Sequence, residues 1–405
     1  MRTIVTVGAG QAAAVAARTL RRRGYDGRIE LIGDEPHLPY QRPPLSKEYL
    51  DTGDEDDVFL LSQRWCSDND VHVRSETAVS RIRTSDGSVE LSDGSAVKAD
   101  AVLIATGSTP RRLPHADGDR VLYLRTLDDA RRLREHLHAD RRLVVIGAGF
   151  IGSEVAATAR AKGVDVVIVE ALDTPLRNVL GARMGRVCAD LHVANGVDLR
   201  LGETVESIRQ SAHSVLVTTS AGSIEGDVVV VGVGVTPNVD VAVRSQIATD
   251  NGVLVDEFCR TSAPNVFAAG DVANHDHPVF GRRIRVEHFD NASRQGATAA
   301  DNMLGRGISY RDPHWFWSDQ YDVNLQYVGD SAGCDQTVVR GDIENGDFVA
   351  FFLRGGVVRA AFAVNRGAEI MAAKELVGGG VTVDERLLSD EDVDLAELAT
   401  LEARA

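Results

Sequence analysis

Two glycine fingerprints of one type constrain this chain more than any other feature. Gly8-Ala9-Gly10-Gln11-Ala12-Ala13 and Gly147-Ala148-Gly149-Phe150-Ile151-Gly152 stand about 140 residues apart, each directly behind an apolar run, residues 3–7 and 143–146. Residues without bulk let a strand turn sharply into a helix and let the backbone approach a ligand. The free N–H groups at the start of that helix then point at a pyrophosphate. The surrounding pattern repeats with the fingerprint. A helix is predicted over 12–20 and a strand over 28–32 ending near Asp34; in the second copy a helix is predicted over 153–161 and a strand over 164–169 ending at Glu170. An acid roughly 20 positions past the glycines is placed to accept ribose hydroxyls. Both copies supply one, so the chain is expected to hold two dinucleotides.

The copies differ, with Ala13 where the second has Gly152, so their ligands are expected to differ. Glu170 ends its strand where an adenosine 2′-phosphate would lie; a carboxylate there accepts a 2′-hydroxyl and repels the phosphate. This favours NADH over NADPH, with Arg177 or Arg183 folding back onto a phosphate as the competing reading.

A length of 405 residues, 43% hydrophobic content and 38 glycines suit an α/β protein of two to three domains. No apolar stretch of membrane-spanning length is found. The N-terminus enters a strand without a basic and then apolar leader, so a cytoplasmic location is expected. Cys66, Cys188, Cys259 and Cys334 are scattered, with no close pair, so neither a metal site nor a redox dithiol is expected. A net charge of −16 without a basic, aromatic-interleaved stripe argues against nucleic acid as a partner.

Two further strand-to-turn passages, Ala101 to Ser108 and Val228 to Gly234, repeat the small-residue design. In Asn265-Val266-Phe267-Ala268-Ala269-Gly270-Asp271-Val272 a helix is predicted to begin near Asp271. Its carboxylate either caps that helix or accepts a hydrogen bond from a ribityl hydroxyl of FAD. From about residue 313, Trp315, Phe316, Trp317 and Tyr321 precede apolar alternation over 324–328, 337–340, 348–353 and 357–363, which predicts a small antiparallel sheet followed by helices. Acids cluster at 51–57 and 384–402. Arginines cluster at 21–23, 111–112, 131–134 and 282–285, either as a basic patch for an acidic partner or as solvated faces.

Three segments carry a resemblance: Pro39-Tyr40-Gln41-Arg42-Pro43-Pro44-Leu45-Ser46-Lys47, Thr261 to Asp271, and Trp315-Phe316-Trp317-Ser318-Asp319-Gln320-Tyr321, with Val364-Asn365-Arg366 beyond. With them the chain resembles, over nearly its whole length, the ferredoxin reductases of bacterial oxygenase systems. The resemblance implies a glutathione-reductase-like fold: two Rossmann-like domains, for FAD and for NAD, plus a C-terminal α+β domain. It places the FAD domain at 1–109 and 237–312, the NAD domain at 110–236 and the C-terminal domain at 313–405.

The resemblance also implies roles for individual residues. Gly8, Gly10, Ala12 and Ala13 surround the FAD pyrophosphate, with Asp34 on the adenosine ribose. Arg42 and Lys47 approach the flavin, where Lys47 holds a neighbouring carboxylate; without the resemblance Lys47 reads as a solvated lysine. Val79, Ala105, Thr106, Gly107, Arg125, Gly270, Asp271 and Phe289 fall at other FAD contacts. His288 lines the site or packs, since hydride transfer needs no general base. The helix predicted over 293–304 turns its N-terminus to the flavin. On the NAD side stand Gly147, Gly149, Phe150, Ile151, Gly152, Glu170 and the turn Gly232, Val233, Gly234. Glu154 either contacts nicotinamide or is a solvated helix residue. Asn178 replaces an arginine common in the family. Trp317 covers the flavin or packs in the core. The implied catalytic set is thus Lys47, Glu154 and Trp317.

With FAD and NADH as cofactors, the implied partner is a [2Fe–2S] ferredoxin feeding an oxygenase, and the chain is a monomer or homodimer. Two other readings stand beside it: an NADH oxidase or quinone reductase, and an NADH-responsive binding flavoprotein of the apoptosis-inducing-factor type.

Overall fold

The computed structural model describes residues 1–114 and 116–402. The chain divides into two compact units, Met1–Gln41 with Asp56–Thr109 and Thr236–Trp315, and Arg42–Glu55 with Pro110–Val235 and Phe316–Ala405.

The first unit is built on a five-stranded sheet in the order Val266–Ala268, Ala101–Ile104, Thr3–Val7, Arg28–Ile32, Val71–Arg74. All four pairings are parallel. Parallel strands buried on both faces need continuous apolar runs rather than alternation, which is what TIVTV and AVLI supply. On one face Ile4, Leu31 and Leu103 pack with Ala13, Ala16 and Leu20 of the helix Gln11–Arg22. On the other, Val5, Val7, Val102 and Ile104 close a second core. Because Thr3–Val7 has a strand from each direction of the chain on its two sides, its C-terminal end is the switch point where open α/β sheets take ligands.

The helix Phe289–Met303 lies against Gln11–Arg22. A Cβ on Gly296 would stand 2.4 Å from the Ala12 carbonyl oxygen, so only glycine permits this approach. Gln11 Nε2 donates to Ser293 Oγ at 2.7 Å, and Gly270 N donates to Gln295 Oε1 at 2.9 Å. This helix starts at Phe289, one turn earlier than residues 293–304 suggest, with His288 as its N-cap.

The second unit repeats the sheet: Asp198–Leu201, Asp165–Glu170, Arg142–Ile146, Val228–Val231, Val121–Leu122, again parallel. It also carries the C-terminal sheet, in the order Trp315–Gln320, Val323–Gly329, Val357–Val364, Asp347–Arg354, Gln336–Asp342. The last four strands are those the alternation predicts. The tryptophan-rich segment is itself the fifth, with buried and half-buried residues alternating along it. Phe348, Phe352, Phe362, Tyr327 and Phe316 fill one side of this sheet together with Leu180, Met184 and Cys188 from Arg177–Ala194. The acidic end is partly helical, Glu385–Ser389 and Leu395–Glu402. The almost fully buried Arg340 donates to the Glu391 and Val393 carbonyls, at 3.2 and 3.0 Å, and so ties that end to the sheet.

The segment Arg42–Glu55 leaves its sequence neighbours and joins the second unit. Leu50 enters the core around Val155, Ala156 and Ala159. Glu55 pairs with Arg131 at 2.8 Å, Asp51 with Lys162 at 3.2 Å, and Arg134 donates to the Thr52 carbonyl at 2.9 Å. Among the described residues no helix is long and apolar enough to cross a membrane.

Candidate functional site

Both fingerprints adopt the geometry their glycines require. Gly8 and Gly147 have φ of +107° and +97°, and a Cβ on either would stand 2.2 Å from the Ala105 or 2.4 Å from the Gly232 carbonyl oxygen. Gly10 and Gly149 are the N-caps of the two fingerprint helices without any side-chain cap, and a Cβ there would meet nothing within 4 Å. Each helix therefore presents first-turn N–H groups over an open backbone surface, the donor set that a pyrophosphate takes. Gly152 has its own constraint, since a Cβ would lie 2.1 Å from the Gly147 carbonyl oxygen. Ala12 and Ala13 are buried beneath the first turn.

In the first unit Asp34 lies exposed, just past the end of Arg28–Ile32. Ala105, Thr106 and Gly107 follow the strand Ala101–Ile104, and the Thr106 hydroxyl donates to the Asn238 carbonyl at 2.7 Å while Asn238 Nδ2 donates back to the Thr106 carbonyl at 2.9 Å. Val79 opens the strand Val79–Arg83 and is half-buried. Gly270, with φ of +82°, brings the chain past Ala12 and Ala292. Asp271 does not begin a helix. A turn leads into the strand Ala273–His277, and the Asp271 carboxylate accepts the Ser108 hydroxyl at 2.7 Å. The apolar run after Asp271 is short and its residues pair with Val253–Val255, so strand pairing overrides the helical start.

His288 and Phe289 form the entry of Phe289–Met303, whose N-cap residue makes no side-chain capping hydrogen bond. Desolvation lowers the His288 pKa to about 4, with Asp271 opposing. The ring is therefore neutral at pH 7 and leaves the helix end as the local positive pole.

In the second unit the sequence-predicted residues converge. Lys47 Nζ sits 2.7 Å from Glu154 Oε2, with side-chain exposures of 10% and 4%. Neither is a solvated surface residue. The same carboxylate accepts the Ser46 hydroxyl at Oε2 and the Ser318 hydroxyl at Oε1, the latter at 2.7 Å. Lys47 Nζ also donates to the Pro43 carbonyl at 3.2 Å, and Thr158 donates to the Ser46 carbonyl at 2.8 Å. A buried carboxylate is tolerable only when a counter-charge and donors meet it; here Lys47, Ser46 and Ser318 do so. Ser46 and Ser318 escape sequence reasoning although both lie inside quoted motifs, because a serine carries no signal of its partner. Arg42 donates to the Arg125 carbonyl, and Trp317 is half-buried on the strand face opposite Ser318. Arg42, Lys47, Arg125 and Trp317 thus belong to the second unit, the other residues expected at FAD to the first.

Glu170 ends its strand as predicted. Its Oε2 accepts the Ala148 N–H at 2.7 Å and its Oε1 the Leu172 N–H at 2.9 Å, which hold the carboxylate beside the second fingerprint. Arg177 pairs with Asp173 at 2.9 Å. Phe150 packs edge-on against Phe316 at 4.5 Å, while Ile151 is exposed. Gly232 lies under Gly147, and Val233 and Gly234 carry the turn onward.

The cysteines are free thiols. Burial pushes the Cys188 thiol up to about 12, and burial aided by Asp330 pushes Cys334 up to about 11. The arginine clusters are mostly engaged internally: Arg21 donates to the Asn69, Tyr25 and Gly27 carbonyls, Arg23 pairs with Asp301, Arg131 with Glu55 and Asp128, and Arg285 with Glu287.

Comparison with known proteins agrees with this construction. Residues 2–296 match the family model described as pyridine nucleotide-disulphide oxidoreductase. The chain belongs to that family. Residues 315–399 match a reductase C-terminal domain model. Rhodocoxin reductase of Rhodococcus erythropolis is 39% identical over 398 residues, 97% of this chain and 93% of the relative. The ferredoxin–NAD(+) reductase component of the anthranilate 1,2-dioxygenase system of Burkholderia cepacia is 41% identical over 396 residues, 96% and 98% of the two chains. A crystal structure of the covalent putidaredoxin reductase–putidaredoxin complex superposes with a TM-score of 0.95 at 35% identity, covering 100% of this chain and 99% of that one.

Proposed function

We propose that this chain is an FAD-dependent NADH:ferredoxin reductase serving an oxygenase, either a haem monooxygenase or a Rieske dioxygenase. The observation that carries the reading is the buried Lys47–Glu154 pair, fixed on the second fingerprint helix by two serine hydroxyls. End-to-end relatives named as ferredoxin reductases support it.

FAD is held by the first fingerprint, through Gly8, Gly10, Ala12 and Ala13 at its pyrophosphate and Asp34 at its ribose. Residues 1–109 and 237–312 form its domain. NADH is held in the domain 110–236 by Gly147, Gly149 and Gly152, with Glu170 accepting the adenosine 2′-hydroxyl. FAD held by the first fingerprint would supply the redox chemistry, in which the hydride of NADH would be taken up as an electron pair, NAD⁺ and a proton would be released, and the two electrons would be given singly to two molecules of [2Fe–2S] ferredoxin. Glu154 orients the nicotinamide carboxamide, and Lys47 lends positive charge that favours the reduced form. The uncapped N-terminus of Phe289–Met303 stabilises negative charge in the same sense. Neutral His288 lines the site and moves no proton. Trp317 covers the flavin on the electron-exit side. The buried thiols take no part, so electrons leave to the partner protein rather than to a disulfide. We place the protein in the cytoplasm.

The test is steady-state NADH oxidation with cytochrome c as terminal acceptor, with and without a [2Fe–2S] ferredoxin. Turnover that depends on ferredoxin is expected. Rapid oxygen consumption without it would support the oxidase reading instead.

A further inference from the structure

Phe150, Glu154 and Thr158 recur every four positions on the helix Phe150–Ala161 and so form one stripe along it. Each has a defined partner. Phe150 meets the Phe316 ring at 4.5 Å, Glu154 Oε1 accepts the Ser318 hydroxyl at 2.7 Å, and Thr158 donates to the Ser46 carbonyl at 2.8 Å. Phe316 and Ser318 are two apart and lie on one face of their strand. Gln320 continues that face, fully buried, and its Nε2 donates to Ser318 Oγ at 3.1 Å. Phe150 and Glu154 of the stripe therefore meet Phe316 and Ser318 of the strand face, while Thr158 ties the same stripe to Ser46.

We propose that Ser318 is a positioning residue for hydride transfer: its hydroxyl, oriented by Gln320, fixes the Glu154 carboxylate in the pose that receives nicotinamide. This rests on the reading above, in which NADH is the donor and Glu154 its contact. Lys47 and Ser46 both bind Oε2, so they hold one oxygen and leave the carboxylate plane free to turn about that point. Ser318 is the partner at Oε1 and removes this freedom. A serine hydroxyl has one proton to give; when it goes to Glu154, the serine oxygen accepts from elsewhere, and the Gln320 amide is that donor. The direction Gln320 to Ser318 to Glu154 is thereby set. Because reacting groups must lie in near-attack geometry, a small turn of the carboxylate is felt in the rate.

Ser318→Val and Ser318→Thr have the same size and differ in the hydroxyl, so the pair separates orientation from packing. On the full-length, FAD-loaded protein, two quantities are read: the limiting rate of flavin reduction by NADH in anaerobic stopped flow, and the NAD⁺ dissociation constant by calorimetry. Ser318→Val should slow reduction about tenfold and weaken NAD⁺ about fivefold, while Ser318→Thr should keep both within about twofold. Gln320→Leu leaves Ser318 in place and should slow reduction about threefold; it decides the matter if Ser318→Val does not fold. Equal behaviour of the valine and threonine variants, or a wild-type rate in Gln320→Leu, overturns the proposal. A wild-type protein that NADH does not reduce would instead overturn the reading on which it rests.

Discussion

Replacing Lys47 by methionine tests whether the central ion pair behaves as a buried one. The methionine fills much the same volume, so the change is mainly electrostatic. Lys47 Nζ is 2.7 Å from Glu154 Oε2, and Glu154 is only 3% exposed, so the variant leaves a carboxylate where water scarcely reaches it. Removing one partner of a buried pair costs about 3–5 kcal/mol. Ser46 and Ser318 still donate to Glu154, and hydrogen bonds to a charged group contribute about 1.5–3 kcal/mol each, which moves the expected loss just below that range, to about 2–3 kcal/mol. At about 2–4 °C per kcal/mol for a domain of 150–250 residues, the melting temperature should fall by about 5–10 °C. Thermal unfolding of the FAD-loaded protein followed by far-UV circular dichroism measures it. The decisive arm is the double variant Lys47→Met with Glu154→Gln. With the stranded charge removed, about 1–2 kcal/mol should return, a coupling within the range seen for contacting residues. Additive losses would refute the reasoning, since they would mean that the two side chains do not depend on one another.

Glu170→Ala should weaken NADH about tenfold and narrow the preference over NADPH by a similar factor, because the 2′-hydroxyl acceptor goes and the repulsion of a 2′-phosphate goes with it. Titrations with both nucleotides check it, and an unchanged preference would count against Glu170 as the discriminator. Arg340→Met strips the Glu391 and Val393 carbonyls of their donor and leaves Glu369 without a 3.0 Å contact. Limited proteolysis should then nick residues 384–394 first, at a rate at least about tenfold above wild type. Desolvation lowers His192 to about 4, His275 to about 3 and His288 to about 4, all below the unfolded value of 6.5. The unfolded chain therefore binds more of these protons, and stability is fully present above pH 6.5 and falls as pH drops toward 4. Melting temperatures across that window check it, and His192→Gln should make the decline shallower by about one proton's worth. An unchanged slope would show that His192 is not the neutral buried ring described here.

Much of the scaffold was legible because parallel-sheet strands announce themselves. TIVTV, RIELI and VVVV are runs with glycine turns behind them, and Thr3–Val7, Arg28–Ile32 and Val228–Val231 form where those runs lie. The misreadings have local causes. Asp271 looks like a helix cap because Gly-Asp after a strand is a cap signal, yet the residues beyond it pair with Val253–Val255, and pairing partners distant in sequence leave no local mark. Phe289–Met303 starts early because its first turn is fixed by packing on Gln11–Arg22 rather than by a polar cap. For the site, a carboxylate partner for Lys47 came from family resemblance, since 107 residues separate it from Glu154 and no periodicity spans that gap. Ser46 and Ser318 were invisible as functional residues, as a hydroxyl is common and its partner is set only by the fold. The arginine clusters left two readings open, a basic patch or solvated faces. Their charge is conspicuous in sequence, but Arg21, Arg23 and Arg131 are anchored to carbonyls and acids within the fold.

The most direct test of the whole account is anaerobic single-turnover transfer. The FAD-loaded protein is mixed with one equivalent of NADH, the loss of flavin absorbance is followed, and a [2Fe–2S] ferredoxin is then added in a second push. Rapid bleaching by NADH, followed by recovery of flavin absorbance in step with reduction of two equivalents of ferredoxin, is the predicted result. Bleaching that persists in the presence of ferredoxin and disappears only on admitting oxygen would contradict it.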